Sequence, residues 1–452
     1  MNLKQYSTKD GVKVAAMRAS ISFWVTTTMK RRTFLASVAA ATVGGTLDAA
    51  LSGLSASPQG SVRIRVSFFG SAFQPVMKAL IDKFREQAPQ VEIGIQTPAQ
   101  SWDAQLQRTV LDMRTGGAAE LAVQGYDRLR IVADSKAAVP LDALISQESG
   151  WAGQGYSPGL MSLCKFGGQQ WGLPLQISNP VIFYNAELFR SAGVDPETFT
   201  ANWDSAAEAA QKITALGGGK MGAFFDYTAD GNWMYQALLF SLGGQMMSDD
   251  EKAISFDDAT GLRALQILRA FGKAGQQDMT AEQGSQSFAA GVTGMIFTSN
   301  RRLGAYKKAI QGRFELGSAS LPKQEGGHVP VGGGFVSMTT ADPRTQKAAW
   351  EFLKFASGPV GQAIIVRMTG AVPGNANAAS KLGDYYATNP QAKAGLEQLP
   401  IVTGWYSFPG PNAIKISEVL LNHLRSVVTL KITPENALKI MRADVDALLP
   451  KV

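Results

Sequence analysis

The sequence has few of the residues on which nucleophilic and metal-dependent enzymes depend. It contains one cysteine, Cys164, and two histidines, His328 and His423. A single cysteine excludes an intrachain disulfide, and no His-x-x-x-His motif or Cys pair offers zinc-ligand spacing. We therefore expect no metal or other cofactor. The enzyme class that this scarcity leaves open is a secreted glycan-acting hydrolase, which needs two carboxylates that sequence spacing does not reveal.

Long apolar runs are also missing, except for a short one near the N-terminus. Arg31 and Arg32 follow Met29 and precede about fourteen mildly apolar residues, 34–47, after which small residues dominate. This is the layout of a secretory signal, and the run is too short to span a bilayer. The Arg-Arg-Thr-Phe-Leu order resembles a twin-arginine signal; a chance basic pair is the alternative. We expect residues 1–57 to be a leader and signal, with Met29 as a possible start, and the mature protein to be soluble and periplasmic.

Nucleic-acid binding is not expected, although the formal charge is +7. Residues 1–57 hold seven basic and two acidic side chains, and the rest of the chain has 36 basic and 34 acidic ones. A nucleic-acid-binding domain normally carries its basic excess on a folded face. Here most of the excess lies in the segment that is expected to be removed.

Strand and helix patterns alternate along the remaining chain. Residues 61–69 alternate like a strand, Val76 to Phe84 have helical spacing, and residues 91–96 form a second strand pattern. Asp258 and Asp342 are expected helix N-caps. Strand–helix–strand alternation predicts an α/β protein with parallel strands, and the length predicts two lobes.

Four segments in order resemble the extracellular solute-binding proteins that include the maltodextrin- and glycerol-3-phosphate-binding proteins. They are the strand and Tyr-Asn of 180–194, Asn-Trp-Asp at 202–204, Phe-x-x-Gly-x-x-Gly-Met at 288–295, and the helix 349–355 followed by Thr-Gly-Ala-Val-Pro at 369–373. The resemblance covers about residues 61–452. It implies a two-lobed periplasmic binding protein fold of type II with three hinge crossings, which we place near 175–181, 297–301 and 331–335. The expected lobes are 58–178 plus 300–333, and 179–299 plus 334–452.

The same resemblance implies the solute-binding subunit of an ABC importer. Such a protein closes its lobes on a small polar solute, a motion that belongs to the hinge-closure class. It delivers the solute to the transmembrane permease subunits and performs no chemistry. We expect a monomer that binds a carbohydrate-like or polyol solute.

The resemblance and the residue types together suggest ligand-binding positions in the cleft. Trp233 and the Trp102–Asp103 pair offer rings and an acceptor, and Ser178 and Asn179 lie at the first crossing. The third crossing contains Gly332, Gly333 and Gly334. These glycines either let backbone N–H groups reach the ligand or act only as a hinge. Core packing or a turn is the alternative for each, and for Trp171 and Trp405 packing is favoured over the cleft rim. The weaker candidates are Tyr126, Ser299 and Tyr406.

One departure from the family pattern bears on ligand charge. In the glycerol-3-phosphate-binding proteins that this chain resembles, a Gly-Leu-Arg segment supplies an arginine to the ligand. This chain has Gly404, Trp405 and Tyr406 at the corresponding positions. An aromatic side chain in place of a cation favours a neutral sugar or polyol. The alternative solute is glycerol-3-phosphate or a glycerophosphodiester, with Arg301, Arg302 and the glycine backbone supplying the anion contacts.

Overall fold

The computed structural model describes residues 61–451. The segment 1–57, for which the sequence predicts a leader and an export signal, lies outside the described residues. No helix between residues 61 and 451 combines the length and apolar character that a membrane span requires.

Strands and helices alternate over the described residues, as the sequence predicts. The strands are β1 Val62–Ser67, β2 Val91–Ile95, β3 Leu121–Gly125, β4 Lys165–Phe166, β5 Gln169–Gln170, β6 Leu173–Ser178, β7 Pro180–Asn185, β8 Met221–Phe225, β9 Thr293–Ser299, β10 Leu316–Ser320, β11 Val329–Pro330, β12 Gly332–Met338 and β13 Val402–Thr403. The helices are α1 Gln74–Arg85, α2 Trp102–Thr115, α3 Leu129–Asp134, α4 Asp142–Gln147, α5 Pro158–Ser162, α6 Ala186–Ser191, α7 Trp203–Thr214, α8 Trp233–Ser241, α9 Ala259–Lys273, α10 Ala281–Ala289, α11 Leu303–Ile310, α12 Pro343–Ser357, α13 Pro359–Thr369, α14 Gly383–Thr388, α15 Lys393–Glu397, α16 Ala413–Val428 and α17 Pro434–Asp446.

Local sequence signals account for several helix starts. The Asp258 side chain accepts a hydrogen bond from the Gly261 backbone N–H at the start of α9. Asp342 caps α12 in the same way, with Pro343 at the first helical position. Such caps satisfy N–H groups that have no partner within the helix. Gly358 ends α12 as predicted, but α13 begins at the next residue, so the chain turns there without leaving helical structure.

The first sheet has the strand order β2-β1-β3-β12-β6. β1 pairs in parallel with β2 and β3, while β12 runs antiparallel to β3 and β6. The predicted strand–helix–strand opening corresponds to β1, α1 and β2. α1 buries Val76, Leu80 and Phe84 on its inner face, which is the face that the helical spacing indicated.

The second sheet has the order β10-β7-β9-β8. β9 is buried along its whole length, lies antiparallel to β7 and runs parallel to β8. α7 and α10 pack on this sheet, and α16 and α17 pack on α9. The C-terminal helices therefore belong with the second sheet, whereas α12 packs on β1, β6 and β12 of the first.

The sheets do not divide where the sequence placed the lobe boundaries. The chain does pass from the first sheet to the second at Asn179, between β6 and β7. It does not cross back at 297–301, because β9 leads through α11 to β10, which is in the second sheet. It returns only between β10 and β12, and residues 334–338 belong to the first sheet. The reason is that hydrogen-bond partners decide which sheet a strand joins, and the partners of β12 are far away in sequence.

Candidate functional site

A cavity of about 200 Å³ lies between the two sheets, at the ends of their strands. Ser178 lies at the carboxyl end of β6, Ser299 at that of β9, and Gly332 at the amino end of β12. Crevices outside the carboxyl ends of strands are the usual ligand sites in open α/β sheets. We call this space the cleft cavity, and it is lined by Phe69, Trp102, Ser178, Asp226, Thr228, Ala229, Asp230, Trp233, Ala281, Thr298, Ser299, Arg301, Arg302, Gly332, Gly333 and Trp405.

Two tryptophan rings approach β12 closely because that strand begins with glycines. A Cβ atom added at Gly332 would be 2.7 Å from the Trp233 ring, and one at Gly334 would be 2.9 Å from the Trp102 ring. Trp233 is fixed further by its indole N–H, which donates to the Pro330 carbonyl oxygen at 3.1 Å. The glycine run therefore has a steric role, which is to let both rings reach the cavity wall.

A third indole completes the aromatic lining. The rings of Trp233 and Trp405 have centroids 6.2 Å apart at an angle of 52°. Phe69 packs on Trp102, with centroids 4.8 Å apart. Aromatic faces of this kind stack on the apolar faces of small ligands while polar groups fix the orientation.

The polar lining carries charges of both signs. Asp226 and Asp230 come from the segment after β8, and Arg301 and Arg302 follow β9. Burial raises the pKa of Asp226 and of Asp230, and Arg128 opposes the shift at Asp230. Burial, together with the neighbouring Arg302, lowers the pKa of Arg301 to about 10. Asp226 is buried, Asp230 is exposed and the two arginines are half-buried, so the hydrogen bonds of Asp226 are the ones best shielded from water.

Some of these polar groups already have partners within the protein. The Arg301 guanidinium donates to Gln176 Oε1 at 3.1 Å, and Asp226 Oδ1 accepts from the Thr228 hydroxyl at 2.8 Å. These contacts hold the side chains in place but leave further donor and acceptor sites, because a guanidinium has five N–H groups and a carboxylate accepts several bonds.

A family model decides the identity of the chain. The model described as bacterial extracellular solute-binding protein matches residues 79–394. The chain belongs to that family. A binding protein of Brucella abortus is 24% identical over 410 residues, which cover 88% of this chain and 95% of that protein.

Solved structures show the same fold. UgpB from Mycobacterium tuberculosis, solved with glycerophosphocholine, has a TM-score of 0.74 at 19% identity and covers 86% of this chain and 98% of its own. The cyclic α-maltosyl-1,6-maltose binding protein of Arthrobacter globiformis has a TM-score of 0.71 at 21% identity. The match covers 86% of this chain and 99% of that protein. The expected two-lobed binding-protein fold is confirmed. So is the expected function, the solute-binding protein of an ABC importer.

Six of the residues singled out from the sequence line the cleft cavity of this solute-binding protein. Trp102 and Ser178 come from the side of the first sheet, and Trp233 and Ser299 from that of the second. Gly332 and Gly333 also line it, and Gly333 has a φ of +93°, which favours glycine. These residues are far apart in sequence, and only the pairing of the strands brings them together.

Asn179 and Asp103 point to other partners. Asn179 is fully buried beside the cavity; its backbone N–H donates to Asn300 Oδ1 at 3.0 Å and its side-chain amide to the Gly395 carbonyl at 2.7 Å. Asp103 forms an ion pair with Arg128 at 2.6 Å, and Arg128 also pairs with Asp127 at 2.7 Å. Both residues therefore hold the walls of the cleft together rather than line the cleft cavity.

Tyr126 and Tyr406 line a neighbouring space of about 490 Å³, which we call the side cavity. Trp405 lines both cavities and is their common wall. Burial raises the pKa of both tyrosines, so their hydroxyls stay protonated at neutral pH. The Tyr406 hydroxyl donates to Glu251 at 3.2 Å. Tyr406 is thus engaged within the protein.

Sequence reasoning missed Phe69, Asp226, Thr228 and Asp230, and it favoured packing for Trp405. The Gly-Trp-Tyr order at 404–406 was the available sequence signal for Trp405. No sequence signal marks the two aspartates, because they acquire their surroundings only when the segment after β8 meets β9 and β12. No group of three His, Cys, Asp or Glu side chains arranged to hold a metal ion occurs in residues 61–451.

Proposed function

We propose that the protein captures a small neutral polyhydroxyl solute, a carbohydrate or polyol, in the cleft cavity. The observation that carries this proposal is the presence of two carboxylates, the buried Asp226 and the more exposed Asp230, beside three tryptophan rings. An ionised carboxylate only accepts hydrogen bonds, and sugar hydroxyls are the donors that it needs. A phosphate offers no such hydrogens and repels a carboxylate.

The remaining lining fits the same solute. Arg301 and Arg302 donate to hydroxyl or ring oxygens, and the indoles of Trp102 and Trp233 cover the apolar faces of a sugar ring. A volume of about 200 Å³ suits a small group, because pockets for drug-sized ligands usually exceed about 300 Å³. The lining has two acidic and two basic side chains, a balance of formal charge that matches a neutral ligand.

Calorimetric titration tests the solute class directly. The panel consists of glucose, galactose, glycerol, glycerol-3-phosphate and glycerophosphocholine, with Asp230→Asn beside the wild type. A neutral member should bind most tightly, and Asp230→Asn should weaken that binding by about 1.5–3 kcal/mol, as expected for a hydrogen bond to a charged group. Asp446→Asn, on an exposed face of α17, is the matched control and should bind like the wild type.

The alternative solute is glycerol-3-phosphate or a glycerophosphodiester, and the two arginines favour it. Guanidinium groups bind phosphate through paired hydrogen bonds. The structural similarity to a UgpB solved with glycerophosphocholine agrees with this alternative. Tight binding of a phosphorylated panel member that is lost in Arg301→Lys, with Asp230→Asn neutral or stabilising, would establish the alternative and leave the transport function unchanged.

A hydrolase is the second function class. Two carboxylates in one cavity are the equipment that glycosidases use, although their role also depends on their separation. We infer a carrier without chemistry, since the family is a family of binding proteins. Recovery of an unaltered saccharide after prolonged incubation supports the carrier, and its hydrolysis, abolished in Asp230→Asn, would instead support the enzyme.

We further infer a periplasmic protein that acts as a monomer and delivers its solute to ABC permease subunits. The extracellular character of the family supports this location. The twin-arginine pair at Arg31 and Arg32 supports export by the twin-arginine route. Replacing both arginines by lysine should leave the precursor in the cytoplasm, as measured by fractionation; normal export of that variant would point to the general secretory route.

A further inference from the structure

The side cavity is the larger of the two spaces that meet at Trp405. Its volume is about 490 Å³, against about 200 Å³ for the cleft cavity. Its wall also comes from both sides of the cleft. Tyr126 follows β3 of the first sheet, and Phe240 lies in the last turn of α8, which packs on α9. A solute held in the cleft cavity would therefore have an open neighbouring space on the far side of one indole ring.

The side cavity has an apolar floor and a polar rim. Phe240, Met246 and Met247 are buried in its floor. Gln245 and His328 are exposed at its edge. Methionine side chains are flexible and polarisable, and they adapt to apolar groups of different shapes. The floor therefore suits an apolar group, and the rim stays in contact with water.

Two charged groups of the lining, Asp127 and Arg130, are already paired, whereas Asp249 is exposed at the rim. Arg130 forms an ion pair with Glu251 and lies over the Phe166 ring, 4.9 Å from its centroid. Glu251 also accepts from the Tyr406 hydroxyl, and Asp127 is paired with Arg128. Sugar hydroxyls placed against Phe240, Met246 and Met247 would find no partner on those side chains, and unpaired hydroxyls are costly when they are buried. An apolar group incurs no such cost.

We propose that the solute has two parts, a polyhydroxyl head in the cleft cavity and an apolar aglycone in the side cavity. The ligand class is therefore a glycoside or alkyl ether of a polyol rather than a free sugar, and Trp405 packs against the junction of the two parts. This inference rests on the proposed function, because it assumes that the head is a neutral polyhydroxyl group.

Matched pairs of ligands test the proposal. The pairs are glucose with phenyl β-glucoside, galactose with phenyl β-galactoside, and glycerol with 1-O-benzylglycerol, each titrated calorimetrically into the whole mature protein. In at least one pair the apolar substituent should tighten binding by about tenfold or more, as burial of most of a phenyl ring implies. Equal affinities within every pair that binds would overturn the proposal.

A variant that fills the side cavity locates the effect. Gly404 lines the cavity, a Cβ there meets no atom within 4 Å, and its backbone needs no positive φ, so Gly404→Phe is compatible with the fold. It should bring the two members of the pair within about twofold of each other, because the added ring occupies the space of the aglycone. Gly383→Phe is the matched control: Gly383 is also open and lies outside both cavities, so the tenfold advantage should persist.

The outcomes separate this inference from the proposed function. A phenyl advantage that survives in Gly404→Phe contradicts the side-cavity assignment while the carbohydrate proposal stands. If no member of any pair binds to folded protein, the carbohydrate proposal fails and this inference fails with it. Should Gly404→Phe unfold, Met247→Trp fills the same floor and is judged by the same criterion.

Discussion

At the scale of single residues, the cleft depends on the absence of side chains as much as on their presence. Trp233 and Trp102 reach the cavity wall because Gly332 and Gly334 have no Cβ atom in their way. A hinge interpretation of this glycine run considers only backbone freedom. The close approach of two rings adds a steric requirement that persists even where φ is ordinary.

Gly332→Ala should therefore weaken solute binding without a backbone penalty. The new methyl group would lie 2.7 Å from the Trp233 ring, so the ring must shift. Overpacking of this kind usually costs about 1–3 kcal/mol, here divided between stability and affinity. Calorimetry and thermal unfolding measure the two parts, with Gly383→Ala as the open-space control. Wild-type affinity in Gly332→Ala would show that the ring position does not matter for binding.

Asp127 is the residue with the clearest dependence on pH. Its side chain is 1% exposed, and burial raises its pKa from 3.8 to about 6, although Arg128 opposes the shift. Between these two values the folded protein holds a proton that the unfolded chain has released. The stability contributed by that proton is complete below about pH 4 and is lost as the pH rises through 6.

Asp127→Asn removes this dependence. The wild-type free energy of unfolding, minus that of the variant, should fall between pH 4 and 7 by roughly 3 kcal/mol at most, at 1.36 kcal/mol per unit of pKa. Urea unfolding at four pH values measures it. Asp226 is present in both proteins and cancels in the difference, whereas Asp230 and Asp103 contribute to it because they raise the pKa of Asp127. A difference that does not change with pH would mean that Asp127 stays ionised throughout.

At the scale of elements, the connection between β6 and β7 is a single residue, Asn179, whose position is fixed by hydrogen bonds. Asn179 uses its backbone N–H and its side-chain amide to bind Asn300 and the Gly395 carbonyl oxygen. β12 lies beside it, between β3 and β6. This connection between the sheets is therefore held in place by hydrogen bonds. Loss of those bonds should lower the stability of the protein rather than its affinity for the solute.

Asn179→Ala should lower the free energy of unfolding by about 1–3 kcal/mol, because it leaves the buried Gly395 carbonyl without a partner. Solute affinity should change by much less than it does in Trp233→Ala, for which loss of an aromatic contact predicts about 1–3 kcal/mol. Denaturant unfolding and calorimetry on the same samples separate the effects. A large loss of affinity with normal stability would return Asn179 to the binding site.

At the scale of the whole molecule, the cleft is lined by residues from both sheets, so the two lobes must approach each other to enclose a solute. We expect ligand to reduce the radius of gyration. Small-angle scattering with and without a saturating ligand measures this, and Trp233→Ala at the same ligand concentration should compact less. An unchanged radius in the wild type, with binding verified calorimetrically, would indicate a rigid cleft.

The sequence by itself determined the α/β class, the helix starts and the family. These depend on periodicity, capping residues and short segments such as 180–194, which act locally or through motif order. It also identified six residues of the cleft cavity, because residue type and family pattern were enough to mark Trp102 and Trp233.

Only the tertiary structure decided which sheet β10 and β12 join, and therefore where the lobes divide. It also decided that Tyr406 lines the side cavity and is bonded to Glu251, and that Asp226 and Asp230 lie beside the tryptophans. The physical reason is the same in each case. Strand pairing, burial and the pKa of a carboxyl depend on partners that are distant in sequence, and neither hydrophobic periodicity nor residue type specifies which partners those are.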